Sequence, residues 1–170
     1  GKIVDWVPAD NTLKAGEYSV TAECGKIEEE GFDKPYFIGT HAFTVNGGEI
    51  SEVSIPVSLG NTIVKVECTE GFRNYYRNWS FKLSRSGADI VAFAKDETKA
   101  AFVDGYRFTL SGVMEAETKT YTFNKEYSSL EPATAYTFVF DVTNTGSAAI
   151  TISFNNKVET VELGDIELND

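Results

Sequence analysis

Apolar residues recur at every second position along most of this chain, and that alternation constrains its fold more than any other feature. Trp79, Phe81 and Leu83 are interleaved with Ser80, Lys82 and Ser84, and Tyr136, Phe138, Phe140 and Val142 with Thr137, Val139 and Asp141. Val53, Ile55, Val57 and Leu59 repeat the pattern, as do Ile150, Ile152 and Phe154. Side chains on a strand point alternately to its two faces, so each run predicts a strand with one face toward a core. No window of helical length carries a 3.6-residue repeat. Residues 88–103 are the best helix candidate by composition, yet Ile90, Ala92 and Ala94 suit a strand equally well. Turn signals separate the runs at Lys14-Ala15-Gly16, Asn46-Gly47-Gly48, Arg85-Ser86-Gly87, Asp104-Gly105, Thr145-Gly146-Ser147 and Asn155-Asn156. These residue types supply the positive φ of tight hairpins. Their spacing suits antiparallel hairpins and leaves no room for βαβ crossovers. Two amphipathic sheets bury each other's apolar faces, so an all-β antiparallel sandwich architecture is expected.

The N-terminal part reads as strand-like runs at residues 17–24 and 36–45 around a polar loop bounded by Gly25 and Gly31. Pro56 lacks an amide donor, which places the run around it at a sheet edge or a bulge. That run passes through Leu59-Gly60-Asn61 into a new strand over 62–68. A boundary there divides the chain into an N-terminal unit, residues 1–60, and a C-terminal sandwich, residues 61–170, the two tightly coupled. The first unit holds only about four strands against the usual seven or so of a self-standing sandwich. It is therefore expected to be incomplete, leaning on the second unit or on strands upstream, and an open edge invites pairing with another chain. The chain opens on Gly1 rather than Met and is read as a processed or trimmed product.

With 42% hydrophobic residues the chain can bury a substantial core. Its net charge is −11, and its 15 basic residues are scattered. Phosphate backbones are bound by clustered Lys and Arg, so nucleic acid and anionic membrane surfaces are poor partners. No apolar run approaches the ~18 residues of a transmembrane helix.

Catalytic motifs are absent: the sequence has no HExxH, no GxSxG and no Cys–His cluster. His41, the single histidine, shares a strand face with Phe37, Gly39, Phe43 and Val45 and reads as a packed or half-exposed strand residue. Glu28, Glu29 and Glu30, with Asp33 nearby, read as a solvated acidic loop rather than a calcium loop, which alternates its ligands about a glycine. Asp165, Glu167 and Asp170 are weaker candidates still. Neither a metal nor a cofactor is expected, and no enzyme activity. Cys24 and Cys68 each end an alternating run, which predicts two buried free thiols, with a disulfide as the alternative. The densest aromatic patch runs over 72–79. Its rings either cap the second core or, if any surface binds a protein or glycan, present Tyr75, Tyr76 and Trp79 as the first candidates.

With the strands placed, a family pattern emerges. Ala15, Gly16 and Tyr18 open a strand; Phe32, Asp33, Pro35 and Tyr36 follow a Gly-bounded loop; Gly39, Phe43 and Val45 complete the next strand. Downstream, the entry 59–66 (LGNTIVKV) and the turn 95–98 (KDET) fit as well. The chain resembles a family of fimbrillin-like lipoproteins of the Bacteroidetes, a domain of unknown function whose members are often labelled cell-adhesion proteins. Phe37 stands where that family has a second Tyr. The resemblance implies two sandwich units of fimbrillin or transthyretin type, export, a lipid anchor on a cysteine upstream of this segment, and a place at the cell surface or outer membrane. It also implies one or two strands ahead of Ala15, where only residues 2–8 stand here. On this basis a non-enzymatic adhesin, or a pilus accessory or anchor subunit, is expected. Its partners would be surface proteins, glycans or other pilus subunits, with membrane contact only through the upstream anchor. The alternatives are a pilin-like subunit that polymerises by strand addition and a glycan-binding module. Within the matched residues, Pro35 is expected to fix the entry to its strand and Asp33 to accept loop amides.

Overall fold

A computed structural model of the chain describes residues 12–131, 133–143, 149–154 and 157–166. The turns expected at Thr145-Gly146-Ser147 and Asn155-Asn156, the segment 2–8, and Glu167 and Asp170 lie outside the described residues. The fold is all-β. In chain order the elements are β1 (Gly16–Cys24), β2 (Gly31–Phe32), β3 (Phe37–Val45), β4 (Ser58–Leu59), β5 (Thr62–Cys68) and the short helix α1 (Glu70–Tyr75). There follow β6 (Asn78–Arg85), β7 (Ala88–Phe93), β8 (Ala101–Val103), β9 (Arg107–Glu115) and β10 (Thr120–Ser128). The described chain closes with β11 (Ala135–Val142), β12 (Ala149–Phe154), β13 (Lys157–Glu162) and β14 (Gly164–Ile166).

Two large sheets form the sandwich. One has the order β14-β10-β9-β6-β7 and the other β13-β12-β11-β5-β8-β2. Their inner faces are the alternating residues of the sequence: Trp79, Phe81 and Leu83 of β6, Phe108, Leu110 and Met114 of β9, and Tyr136, Phe138 and Phe140 of β11 are all buried. The layers meet ring on ring. Phe81 stacks on Phe140 with centroids 4.0 Å apart. Phe138 takes Tyr127 edge-on at 4.8 Å and Phe108 at 5.9 Å. Residues 88–103 hold β7, a connecting turn and β8, and no helix. One pairing departs from an all-antiparallel plan: β5 and β11 run parallel, from Ala135 opposite Ile63 to Phe140 opposite Cys68. Turn spacing reports only on strands that follow each other, whereas these two are joined through the opposite sheet.

The third sheet, β1-β3-β4, draws only on residues before Gly60. β1 and β3 pair from Gly16 opposite Val45 to Cys24 opposite Phe37. Tyr18 and Phe43 stack on one face at 6.0 Å. No residue of these three strands is buried. Of the alternating run 53–59, only Ser58 and Leu59 pair as a strand. The segment ahead of them instead runs back beside β3 without ladder pairing: the Ser51 hydroxyl donates to the Thr44 carbonyl, and a β-carbon on Gly39 would overlap the backbone of Pro56.

Sheet membership changes at Gly60 and Asn61, with β2 as the exception, since it joins the six-stranded sheet through β8. The Gly60 amide donates to the Tyr36 carbonyl at 2.8 Å, and the Tyr36 amide donates to the side-chain oxygen of buried Asn61. Phe32 packs edge-on against Phe93 at 5.3 Å. Asp33 adopts φ +58 and pairs with Lys99 at 2.7 Å, so its carboxylate ties the loop to another segment instead of collecting loop amides.

Candidate functional site

The aromatic patch over 72–79 is built by α1. Thr69 caps the helix: its hydroxyl oxygen accepts from the Phe72 amide at 3.1 Å, while its O–H donates to Asp141 at 2.6 Å. Such a cap satisfies an amide that the first turn leaves without a partner. Helical spacing then puts Phe72 and Tyr76 on one face. Phe72 is fully buried, Tyr76 is 1% exposed and Trp79, at the start of β6, is 5% exposed. The Phe72 ring lies 4.6 Å from Tyr76, 5.5 Å from Trp79 and 6.0 Å from Phe140. Lys95 and Arg73 cover the Trp79 ring at 4.8 and 5.6 Å. Tyr75, Tyr76 and Trp79 therefore form no exposed platform. Tyr76 and Trp79 close one end of the core, and Tyr75 packs half-buried beside them. Burial pushes the Tyr75 and Tyr76 phenols above their ordinary range, with the Tyr121 phenol adding to it.

The cysteines part company. Both are free, but Cys24 is exposed, contrary to the expectation of a buried thiol, because it ends β1 in a sheet where no residue is buried. Cys68 packs against the core, and burial raises its pKa to about 12, against the opposing pull of Arg73. A disulfide-exchange reagent at pH 8 is expected to label Cys24 rapidly and Cys68 only after denaturant is added; equal rates would contradict this arrangement. The neutral thiol of Cys68 is favoured in the fold, so its contribution is full below pH 9.0 and declines as the pH climbs toward about 12. His41 lies exposed on β3.

The acidic loop is not simply solvated. Glu29 pairs with Lys26 at 3.1 Å and Lys34 at 3.2 Å, and hydrogen bonding to these lysines holds its carboxyl below the usual range. Glu30 is drawn inward. Its carboxylate accepts two bonds from the Arg85 guanidinium, at 2.8 and 3.0 Å, and one from the Asp104 amide at 2.6 Å. Arg85 also donates to the carbonyls of Asp104 and Arg107. Its five N–H donors form a planar fork, which suits it to holding a carboxylate and neighbouring carbonyls together. This clamp fixes the 104–107 turn at the end of the sandwich where β6 leaves and β9 begins. A shallow depression of about 350 Å³ opens beside it, lined by Glu28, Glu30, Arg85, Ser86, Asp89 and Ile90. Both turns were legible as Arg85-Ser86-Gly87 and Asp104-Gly105, but nothing local links Glu30 to a partner 55 positions away. Among the described residues no group of three or more His, Cys, Asp or Glu side chains converges as a metal site.

No curated protein and no solved structure matches the chain. The family model for a domain of unknown function, DUF4493, matches residues 4–170, and the chain belongs to that family.

Proposed function

We propose that the chain is a non-enzymatic binding domain of an exported, lipid-anchored surface protein, acting as an adhesin or as an accessory or anchor subunit of a surface appendage. The observation that carries this reading is the contrast between the two parts of the fold. The sandwich closes on an aromatic core, whereas the thin β1-β3-β4 sheet and its flanks leave Leu13, Phe37, Ile50 and Val57 substantially exposed, Ile50 at 94%. Large apolar side chains left exposed along one thin sheet, outside the closed core, make that sheet the candidate contact surface. The resemblance to fimbrillin-like lipoproteins supports the location. A specific observation favours strand addition as a second reading: among the described residues β1 ends its sheet, with β3 its only partner. The glycan-binding alternative lacks the aromatic platform on which it would rest.

Light scattering over a wide concentration range separates the two. A monomer throughout is expected, and growing oligomers would turn the reading to strand addition. Beads coated with the domain are expected to attach to cells, and the double substitution Phe37→Ser, Ile50→Ser is expected to abolish attachment without shifting the unfolding midpoint. Attachment retained by that variant would overturn the assignment of the thin sheet as the contact surface.

A further inference from the structure

Asn46 is the only asparagine of the chain that a glycine follows. It leads from β3 into the exposed turn 46–49. The Glu49 amide donates to the Asn46 carbonyl at 3.3 Å, and Gly48 takes φ +78, as the third residue of a type II turn does. The Asn46 side chain is held within the turn alone: its amide nitrogen donates to the exposed Glu49 carboxylate at 3.0 Å. Among the described residues the Gly47 amide makes no hydrogen bond. A β-carbon built on Gly47 would meet no atom within 4 Å, so space around that amide is open. Bonding the Gly47 nitrogen to the Asn46 side-chain carbonyl carbon closes a five-membered ring. Two groups tethered this closely react at a high effective concentration. Closure here breaks no contact outside the turn.

Asp104-Gly105 is the other place where Asp or Asn precedes glycine, and there the backbone is clamped. Glu30 accepts from the Asp104 amide at 2.6 Å, Arg85 donates to the Asp104 carbonyl, and Gly105 is buried. The Tyr106 carbonyl accepts from the Leu130 amide at 3.2 Å, although Tyr106 itself is 64% exposed. Ring closure turns the backbone at the acidic residue, so at Asp104 it would have to break these bonds.

We propose that Asn46 is a site of spontaneous deamidation, converting to isoaspartate and aspartate through a cyclic imide formed with the Gly47 amide, with water as co-reactant. The Gly47 nitrogen gives its proton to hydroxide and attacks the Asn46 side-chain carbonyl carbon. The bond from that carbon to the side-chain nitrogen breaks, and the nitrogen takes a proton from water and leaves as ammonia. Water then adds to one of the two imide carbonyls. Cleavage at the side-chain carbonyl gives aspartate. Cleavage at the backbone carbonyl gives isoaspartate, whose main chain runs through the former side-chain carbons. One water is consumed and one ammonia released, and nothing is oxidised or reduced. Either product places a new carboxylate near Glu49 on a chain whose net charge is already −11. Isoaspartate also lengthens the main chain by one atom and makes a free carboxylate of the carbonyl that accepts from the Glu49 amide. This turn precedes Ile50 and the return segment, where Ser51 donates to the Thr44 carbonyl. The chemistry belongs to the turn, whatever partner the thin sheet binds.

The test is to incubate the native chain in mildly alkaline buffer made with heavy-oxygen water and to follow it by peptide mapping and mass spectrometry. The peptide holding residue 46 is expected to give two products of equal mass, each carrying one heavy oxygen. One of them, the isoaspartyl form, is expected to accept a methyl group from an isoaspartyl methyltransferase. The rate is expected to rise with pH, because the attacking group is the deprotonated amide. Gly47→Ala, which the open space at Gly47 accommodates, is expected to slow the loss of Asn46 about tenfold without lowering the unfolding midpoint. Asp104 is expected to form isoaspartate only once denaturant releases its clamp. Asn46 that stays intact in the native chain and reacts only in denaturant would overturn the proposal, since the fold would then protect the turn. Equal rates in wild type and Gly47→Ala would overturn it as well, because the open glycine amide would not be what drives the reaction. Isoaspartate at Asp104 appearing in the native chain as fast as at Asn46 would overturn the claim that the fold selects the site.

Discussion

Phe140→Ala is expected to destabilise the fold by about 3–5 kcal/mol, read as a fall in the midpoint of urea unfolding at constant slope. The Phe140 ring is fully buried where both sheets and the helix meet. Phe81 lies 4.0 Å from it, Phe123 5.7 Å and Phe72 6.0 Å. Truncation removes apolar area from the core and leaves a cavity whose walls are rings from three different elements. Such walls collapse poorly, which puts the cost at the high end for a large-to-small change. Phe138→Ala belongs to the same class, since Phe138 is also fully buried between Phe108 and Tyr127. Val113→Thr, on the outer face of β9 and 40% exposed, is the control and is expected to change stability by no more than about 0.5 kcal/mol. A Phe140→Ala change of that small size would show that the sheets do not meet at this ring.

Gly112→Val is expected to destabilise by about 1–3 kcal/mol through overpacking. Gly112 occupies an inward position of β9, opposite Phe123 on one neighbour and Phe81 on the other. A β-carbon there would overlap the Phe123 ring and come within 2.8 Å of Phe81. The two rings close over the glycine from both sides, so the gap in the apolar alternation of β9 is filled by its neighbours. Combining Gly112→Val with Phe123→Leu is expected to cost less than the sum of the two single changes, because the smaller side chain makes room for the new one. Strict additivity would show that the clash is not with that ring.

Period-two patterning was sufficient to identify most strands of the sandwich and the faces they bury, because a strand's side-chain period is local and Phe81, Phe138 and Phe140 mark it strongly. The helix α1 carries no period that marks it. Six residues offer too little length for a helical repeat, and its signal was the cap at Thr69 rather than any apolar pattern. Residues 53–57 show how alternation can mislead. They carry the strand pattern, yet they lie beside β3 without joining its ladder and leave Val57 52% exposed. Cys24 misled in the same way, since its apolar face exists but no buried layer forms over it.

What sequence alone determined is the class of the fold, the inward residues of the sandwich and turns such as those at 46–48 and 85–87, all consequences of neighbours along the chain. Only the tertiary structure decided which strands adjoin, that β5 and β11 run parallel, and that the aromatic patch is a core cap. It alone joined Glu30 to Arg85 and left Tyr106 exposed on a clamped turn. These features depend on which distant segments share a sheet or an end of the sandwich. Chain closure over tens of residues is selected by the packing of the whole core, and no local period encodes it.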